Sequence, residues 1–277
     1  MKNPKSIRSL FSLKVPRWWT LGLVSGLLVL GSPFVAGADG EISPDRASLT
    51  SNTRTVRPGV IQIETGVEYS ESRLGGGESD RRFAVQLTLR TGLTNALEAR
   101  LEGEPFVQLR GESDDTGPGD ITLRLKYRFL DAVEGEGWPS LGLQPSVKLP
   151  VAGAPIGTGR PDFALLALAS VGLPARFELD VNAGLAAVGQ SRPNGYLLQA
   201  LTSASLSWEI LQGASAFMEL AFASRNERDK RDTVDVKTGI VYLLTKDVAL
   251  DFAGGTSLAG QGPDYTVTAG VSVRLGR

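Results

Sequence analysis

Residues 119–129 read GDITLRLKYRF, and the alternation is unbroken: Ile121, Leu123, Leu125, Tyr127 and Phe129 interleave with Asp120, Thr122, Arg124, Lys126 and Arg128. Successive side chains of an extended strand point to opposite sides, so this spacing gives one apolar face and one polar face. The pattern recurs. From Pro58 onward the chain divides into about twelve such segments of roughly ten to fourteen residues, each ended by turn chemistry. They begin near Val60, Arg82, Leu97, Gly119, Pro139, Asp162, Ala175, Tyr196, Ala214, Thr233, Val248 and Asp264.

Parity is well kept in most of them. Tyr265, Val267, Ala269, Val271, Val273 and Leu275 share one face, with Thr266, Thr268, Gly270, Ser272 and Arg274 on the other. The segment DFALLALASVG is noisier, because Leu166 and Leu168 fall on its polar face. Connections alternate as well. Those reading TGLTNA, LPA, ILQG and TKD are tight; ESRLGGGESD, GESDDTGPG, VAGAPIGTGRP, QSRPNG, NERDKRD and AGQGP are longer and polar, and DAVEGEGW is the exception among the short set. Short turns at one end and longer loops at the other are the layout of an up-and-down barrel.

Alternation alone is equally compatible with a soluble sandwich, which hides the apolar face and wets the polar one. Three features favour a barrel in lipid. The segments are long enough, when tilted, to cross an apolar band about 25 Å tall, whereas globular strands run nearer five or six residues. The aromatics gather at strand ends: Tyr69, Phe83, Phe163, Tyr196, Phe222 and Tyr265 at the loop end, and Tyr127, Phe129, Phe177, Trp208 and Tyr242 at the turn end. Two such girdles match two membrane interfaces. The apolar faces also carry almost no charge, while the opposite faces carry most of it. The expected fold is therefore all-β: a closed antiparallel up-and-down transmembrane β-barrel of about 12 strands. Pro105 and Pro145 each delete a ladder donor inside a strand, so a bulge or irregularity is expected at both.

Composition narrows the function. The net charge of −1 leaves no electrostatic footprint for nucleic acid. The chain has no Cys and no His, which removes disulfides, thiolate metal sites and the commonest general base and metal ligand. No cofactor and no metal site are expected. Lys2, Lys5, Arg8, Lys14 and Arg17, the apolar stretch Leu21 to Leu30 and the small residues Ala36-Gly37-Ala38 have the layout of an export signal over residues 1–38, cleaved after Ala38; an uncleaved membrane anchor is the alternative. Residues 39–58 are then a periplasmic lead that either hangs loose or plugs the mouth, and residues 59–277 form the barrel.

The parity assigns an inward, pore-lining set: Glu64 and Glu68; Arg90; Glu98, Arg100, Glu102 and Glu104; Asp120, Arg124, Lys126 and Arg128; Lys148; Glu178 and Asp180; Lys237; Asp251; and Arg274. Arg176, Glu209, Glu219 and Asp235 share that face. Interleaved charges of both signs act either as a transverse field that orients polar solutes or as a paired network that braces the lumen. Glu102 and Arg124 on adjacent strands are expected to pair. Phe106, Phe217, Leu166, Leu168, Val241 and Leu243 are also assigned inward, where they either receive an aromatic or alkyl solute or make local plugging contacts. Barrels of about twelve strands are roughly 24 Å across between backbones.

Other local motifs are weak. Glu112, Asp114, Asp115 and Asp120 do not have the spacing of a calcium loop. Gly75-Gly76-Gly77 and Gly157-Thr158-Gly159 lack the strand-to-helix setting and Lys of a phosphate cradle. The run Asn226-Glu227-Arg228-Asp229-Lys230-Arg231-Asp232 reads as a wet outer loop, with lipopolysaccharide contact as the second reading.

The ordered succession RPGVIQIETGVEYS, TGLTNALEARLEGEPF, DDTGPGDITLRLKYRFL and PSVKLPVAGAPIGTG resembles the outer-membrane transporter family of the meta-cleavage phenol-degradation pathway, across Pro58 to Arg277. The resemblance implies a barrel in a Gram-negative outer membrane and passage of small solutes, aromatic compounds among them. It carries no catalytic motif. The lead SPDRASLTSNTRTV departs from the acidic, aromatic-bearing version expected there, and the last residues, Val273-Arg274-Leu275-Gly276-Arg277, lack the aromatic end that insertion machinery reads. The expected partners are the lipid bilayer and lipopolysaccharide, a small-molecule solute and the barrel-assembly machinery. A passive channel is the leading function. A surface-binding barrel using its long loops is the alternative, and an enzyme the remaining class, disfavoured because a chain without His lacks the usual base.

Overall fold

The computed structural model describes residues 40–73, 78–132, 137–190 and 194–276. The export signal expected over residues 1–38 and the glycine run 75–77 lie outside them. Among the described residues thirteen strands form one sheet: β1 (Ile61–Arg73), β2 (Ser79–Gly92), β3 (Leu97–Arg110), β4 (Asp115–Gly117), β5 (Ile121–Leu130), β6 (Ser140–Leu149), β7 (Asp162–Leu173), β8 (Phe177–Gln190), β9 (Gly195–Leu211), β10 (Ala214–Ala223), β11 (Thr233–Thr245), β12 (Val248–Ala259) and β13 (Tyr265–Leu275). Twelve of them are the barrel staves, each antiparallel to its neighbours. β1 closes the wall on β13, from Ile61↔Leu275 to Glu71↔Tyr265.

The wall is inverted relative to a soluble protein. Met218 is 60% exposed and Leu185 52%, whereas Glu98 and Lys126 are fully buried and Arg90 and Glu219 are 1% exposed. Aliphatic side chains thus cover the perimeter and charges fill the middle, as a hydrocarbon solvent requires. The aromatics stand on the outer face at both ends. Tyr69 and Tyr265 lie 6.0 Å apart and Phe163 and Tyr196 6.1 Å apart at the loop end; Tyr127 and Phe129 (6.4 Å) and the stacked Phe177 and Trp208 (5.7 Å) lie at the turn end. Phe83 and Phe222 belong to the loop end by pairing, and Tyr242 to the turn end.

Turns follow local chemistry. A 3-10 turn at Pro174–Arg176 joins β7 to β8, and Gly213, at φ +77, closes the turn between β9 and β10 in a conformation that side-chain-bearing residues seldom adopt.

Three local expectations need correction or addition. At Pro105 the register shifts as expected: Val85 pairs with Phe106 but Leu87 with Gly103, so Glu104 and Pro105 together oppose Gln86. That extra residue reverses the parity beyond it. Phe106, expected in the lumen, therefore stands on the lipid face, 39% exposed and edge-on to Phe83 at 6.3 Å, while Val107 turns inward and is fully buried. At Pro145 the irregularity is an interruption and not a bulge: the ladder to β5 skips Pro145 and Gln144, yet Arg124↔Ser146 and Tyr127↔Leu143 on either side stay in step, and the ladder to β7 runs through Pro145↔Leu165. β4 was not anticipated, because GESDDTGPG carries no alternation; it pairs with β3 from Val107↔Gly117 to Leu109↔Asp115, above the point where β5 begins opposite Gly103.

Met218 sits near the middle of β10, facing lipid between Leu206 and Thr238. Met218→Arg is expected to lower barrel stability by about 2–4 kcal/mol, as a cation at the bilayer midplane does; urea unfolding of the protein in liposomes measures it.

Candidate functional site: the lumen and its lead

The lumen is occupied by the chain's own lead. Residues 40–58 enter at the periplasmic end, where Ile42 N donates to Lys246 O at 2.8 Å, rise to mid-barrel at Arg46, and return to the turn between β2 and β3, where Thr55 Oγ1 donates to Asn95 O at 2.7 Å. This segment forms no strand, so its backbone donors must find acceptors elsewhere. Side chains of the wall supply them. Glu219 accepts from Leu49 N at 2.9 Å, Thr50 N at 3.1 Å and Ser48 Oγ at 2.7 Å; Glu64 accepts from Arg46 N at 2.9 Å; Glu98 accepts from Val56 N at 2.6 Å. Asn182 both accepts from Ser51 N and donates to Ser51 O, each at 2.8 Å, and Ser170 Oγ accepts from Thr53 N at 2.9 Å.

Two charged residues of the lead lock it to the wall. Arg46 Nε lies 3.2 Å from Asp251, Nη1 donates to Gln86 at 2.8 Å, and Nη2 donates to Thr268 at 2.8 Å. Gly66 and Gly270, directly paired across β1 and β13, make the niche for that guanidinium; a Cβ on either would run into it. Asp45 pairs with Arg100, with Lys126 at 2.8 Å and with Arg90 at 3.9 Å. Burial by itself would raise the Asp45 carboxyl, but Arg100, Lys126 and Arg90 outweigh it and hold the group well below the usual carboxylate range. Arg54 adds a third anchor, 2.6 Å from Glu178.

The inward charges pair in several clusters, the largest of them around Arg90. Arg90 lies 2.7 Å from Glu64 and 2.8 Å from Glu98, and Arg100 lies 2.5 Å from Glu98. Glu102 and Arg124 pair at 2.7 Å across β3 and β5. Nearer the outer mouth, Arg82 bridges Glu104 at 2.5 Å and Glu68 at 3.5 Å, and Lys148 bridges Asp162 at 2.6 Å and Asp120 at 3.4 Å. Arg128 meets Asp131 at 2.5 Å and Arg274 meets Asp247 at 2.6 Å at the periplasmic rim. Lys237 faces inward beside Glu219, and Asp180 accepts from Ser170 Oγ at 2.5 Å. Sequence parity did not bring out Gln62, Gln86, Asn182 and Ser170 as lead-holding groups. Their inward placement was legible, but their partners are more than a hundred residues distant in two cases.

Beneath the lead, a cavity of about 180 Å³ opens between it and the wall of β8 to β11. Phe217, Val241 and Leu243 form one side; Glu178, Asp180 and Glu209 stand on another.

A closed barrel with a lipid-facing aliphatic band and a charged interior is a bacterial outer-membrane β-barrel. The chain belongs to the family described as "Putative MetA-pathway of phenol degradation", which it matches over residues 44–275. Solved structures share the fold. An outer membrane channel from Pseudomonas putida F1 is similar at a TM-score of 0.68 and 15% identity, over 85% of this chain and 100% of that one. The NanC porin is similar at 0.52 and 10% identity, over 78% of this chain and 100% of that one. The KdgM porin in complex with disordered oligogalacturonate is similar at 0.50 and 8% identity, over 77% and 98%. No curated protein sequence matches the chain.

Asp45→Asn leaves three cations facing an amide, so the lead is expected to loosen: amide exchange at Arg46, Leu49 and Val56, read by mass spectrometry, should accelerate by about tenfold or more at neutral pH. A lowered folded-state pKa contributes stability that is present above the unfolded value of about 3.9 and lost as pH falls through the lowered one. In the unsubstituted protein, protection of the Asp45 anchor should therefore persist from neutral pH down to about 4 and weaken only below it.

Proposed function

We propose that this protein is a passive outer-membrane channel for small solutes, with a conducting path that runs beside the lead. One observation carries the reading: a closed, hydrophilic lumen is narrowed by a segment held through side-chain contacts, with space left beside it. A lead bound in this way sets the bore without sealing the wall, and selectivity follows from the groups left along the path. No covalent step is assigned, since the chain has no imidazole to act as general base.

The solute class follows from the cavity. At about 180 Å³ it falls below the roughly 300–1,000 Å³ of sites for drug-sized ligands, which suits a solute of a single ring. Phe217, Val241 and Leu243 would face the ring, and Glu209 would accept from a phenolic hydroxyl, since Glu178 is paired with Arg54 and Asp180 accepts from Ser170. The family's description, which refers to phenol degradation, supports the same class.

Purified protein in planar bilayers is expected to conduct, and liposomes containing it to swell in phenol-sized solutes while excluding disaccharides. Removing residues 40–56 should raise conductance and admit the larger solutes. Absence of flux from both the full chain and the shortened one would sink the reading.

A further inference from the structure

The β10–β11 loop does something the lumen does not explain. Arg225, Lys230 and Arg231 are all exposed, and no carboxylate lies within ion-pair distance of their side chains among the described residues. They line a shallow groove of about 730 Å³ at the outer rim, together with Leu198, Asp232 and Ala259. Leu198 and Ala259 stand on the lipid face, since Leu198 pairs with Ala187 and Ala259 with Val234. Leu198 is 67% exposed, and Leu258, beside Ala259, 61%. The loop is held in place at its base: Arg225 N donates to Asp232 at 2.9 Å, Gln199 donates to Ser224 O at 2.6 Å, and Gln190 donates to Asn226 O at 2.8 Å.

Cations without ion-pair partners in one groove with the exposed, lipid-facing Leu198 call for a ligand that is anionic at its head and aliphatic below, continuous with the bilayer. A soluble anion would leave Leu198 uncovered, and a neutral lipid would leave the cations unpaired. We propose that this groove binds a phosphorylated glycolipid of the outer leaflet, with its phosphate on Arg225, Lys230 and Arg231 and an acyl chain along Leu198. The three cations outnumber the one lining carboxylate, Asp232, whose oxygen already accepts from Arg225 N. The site depends on placement in an outer membrane and is independent of whether the lumen conducts.

The test uses the full chain purified in neutral detergent, titrated with bisphosphorylated lipid A, with chemically dephosphorylated lipid A and with phosphatidylglycerol, binding being read by native mass spectrometry. Lipid A with its phosphates should bind best. The combined Arg225→Gln, Lys230→Gln, Arg231→Gln variant should weaken it by roughly a hundredfold, since each cation near an anionic lipid surface contributes about fivefold. A heat-modifiability gel verifies that the variant is folded. If it is not, Lys230→Gln alone serves, with an expected loss of about fivefold. Equal binding of the two lipid A forms, stronger binding of phosphatidylglycerol, or an undiminished variant would each overturn the assignment.

Discussion

The hydrogen-bonded seam between β1 and β13 is the contact on which the rest depends. Hydrocarbon offers no partner to an unpaired N–H or C=O, so a sheet of this length can stand in a membrane only without edges. Closure joins the first stave to the last, residues about two hundred positions apart, and it fixes which face is enclosed. Once the ring is shut, the alternation becomes a division of compartments. It also creates an interior that cannot empty itself of charge, because each inward position is covered by a neighbour.

That interior is stabilised by pairing rather than by apolar packing. Arg90, Glu64, Glu98, Arg100 and Lys126 would each be costly alone in so enclosed a space, and each has an opposite charge in contact. The lead belongs to the same accounting. Asp45 supplies the negative charge that three cations on β2, β3 and β5 share, and Glu219 has its oxygens occupied by the lead's own donors. Wall and lead are therefore complementary: without the lead, three wall cations lose the Asp45 charge and the acceptors Glu219, Asn182 and Ser170 are left to water. A segment held this way differs from an added strand, whose backbone pairs would have been unspecific for side chain and harder to release.

Much of the architecture was readable in the chain. Long period-two segments, uncharged outer faces, terminal aromatics and the asymmetry of turns and loops together specified a barrel, and the strand starts fell close to where β1 to β13 begin, β4 apart. Phe106 shows where such reading stops. Pro105 marked a bulge, yet the side on which the chain emerges depends on how many residues the partner strand places opposite, and Gln86 alone faces Glu104 and Pro105. Pro145 shows the converse, a missing donor absorbed without slippage because β7 holds β6 in register.

By itself the sequence determined the two faces of every stave, since side-chain direction in a strand is a local consequence of backbone geometry. It therefore determined the solvent that each face requires. Tertiary structure alone decided what the lead does. SPDRASLTSNTRTV has no periodicity from which to infer a place, and the acceptors that fix it lie on β1, β3, β7, β8 and β10, gathered around it only when the barrel closes. Local pattern follows from neighbours along the chain, whereas a bore is a property of the closed ring.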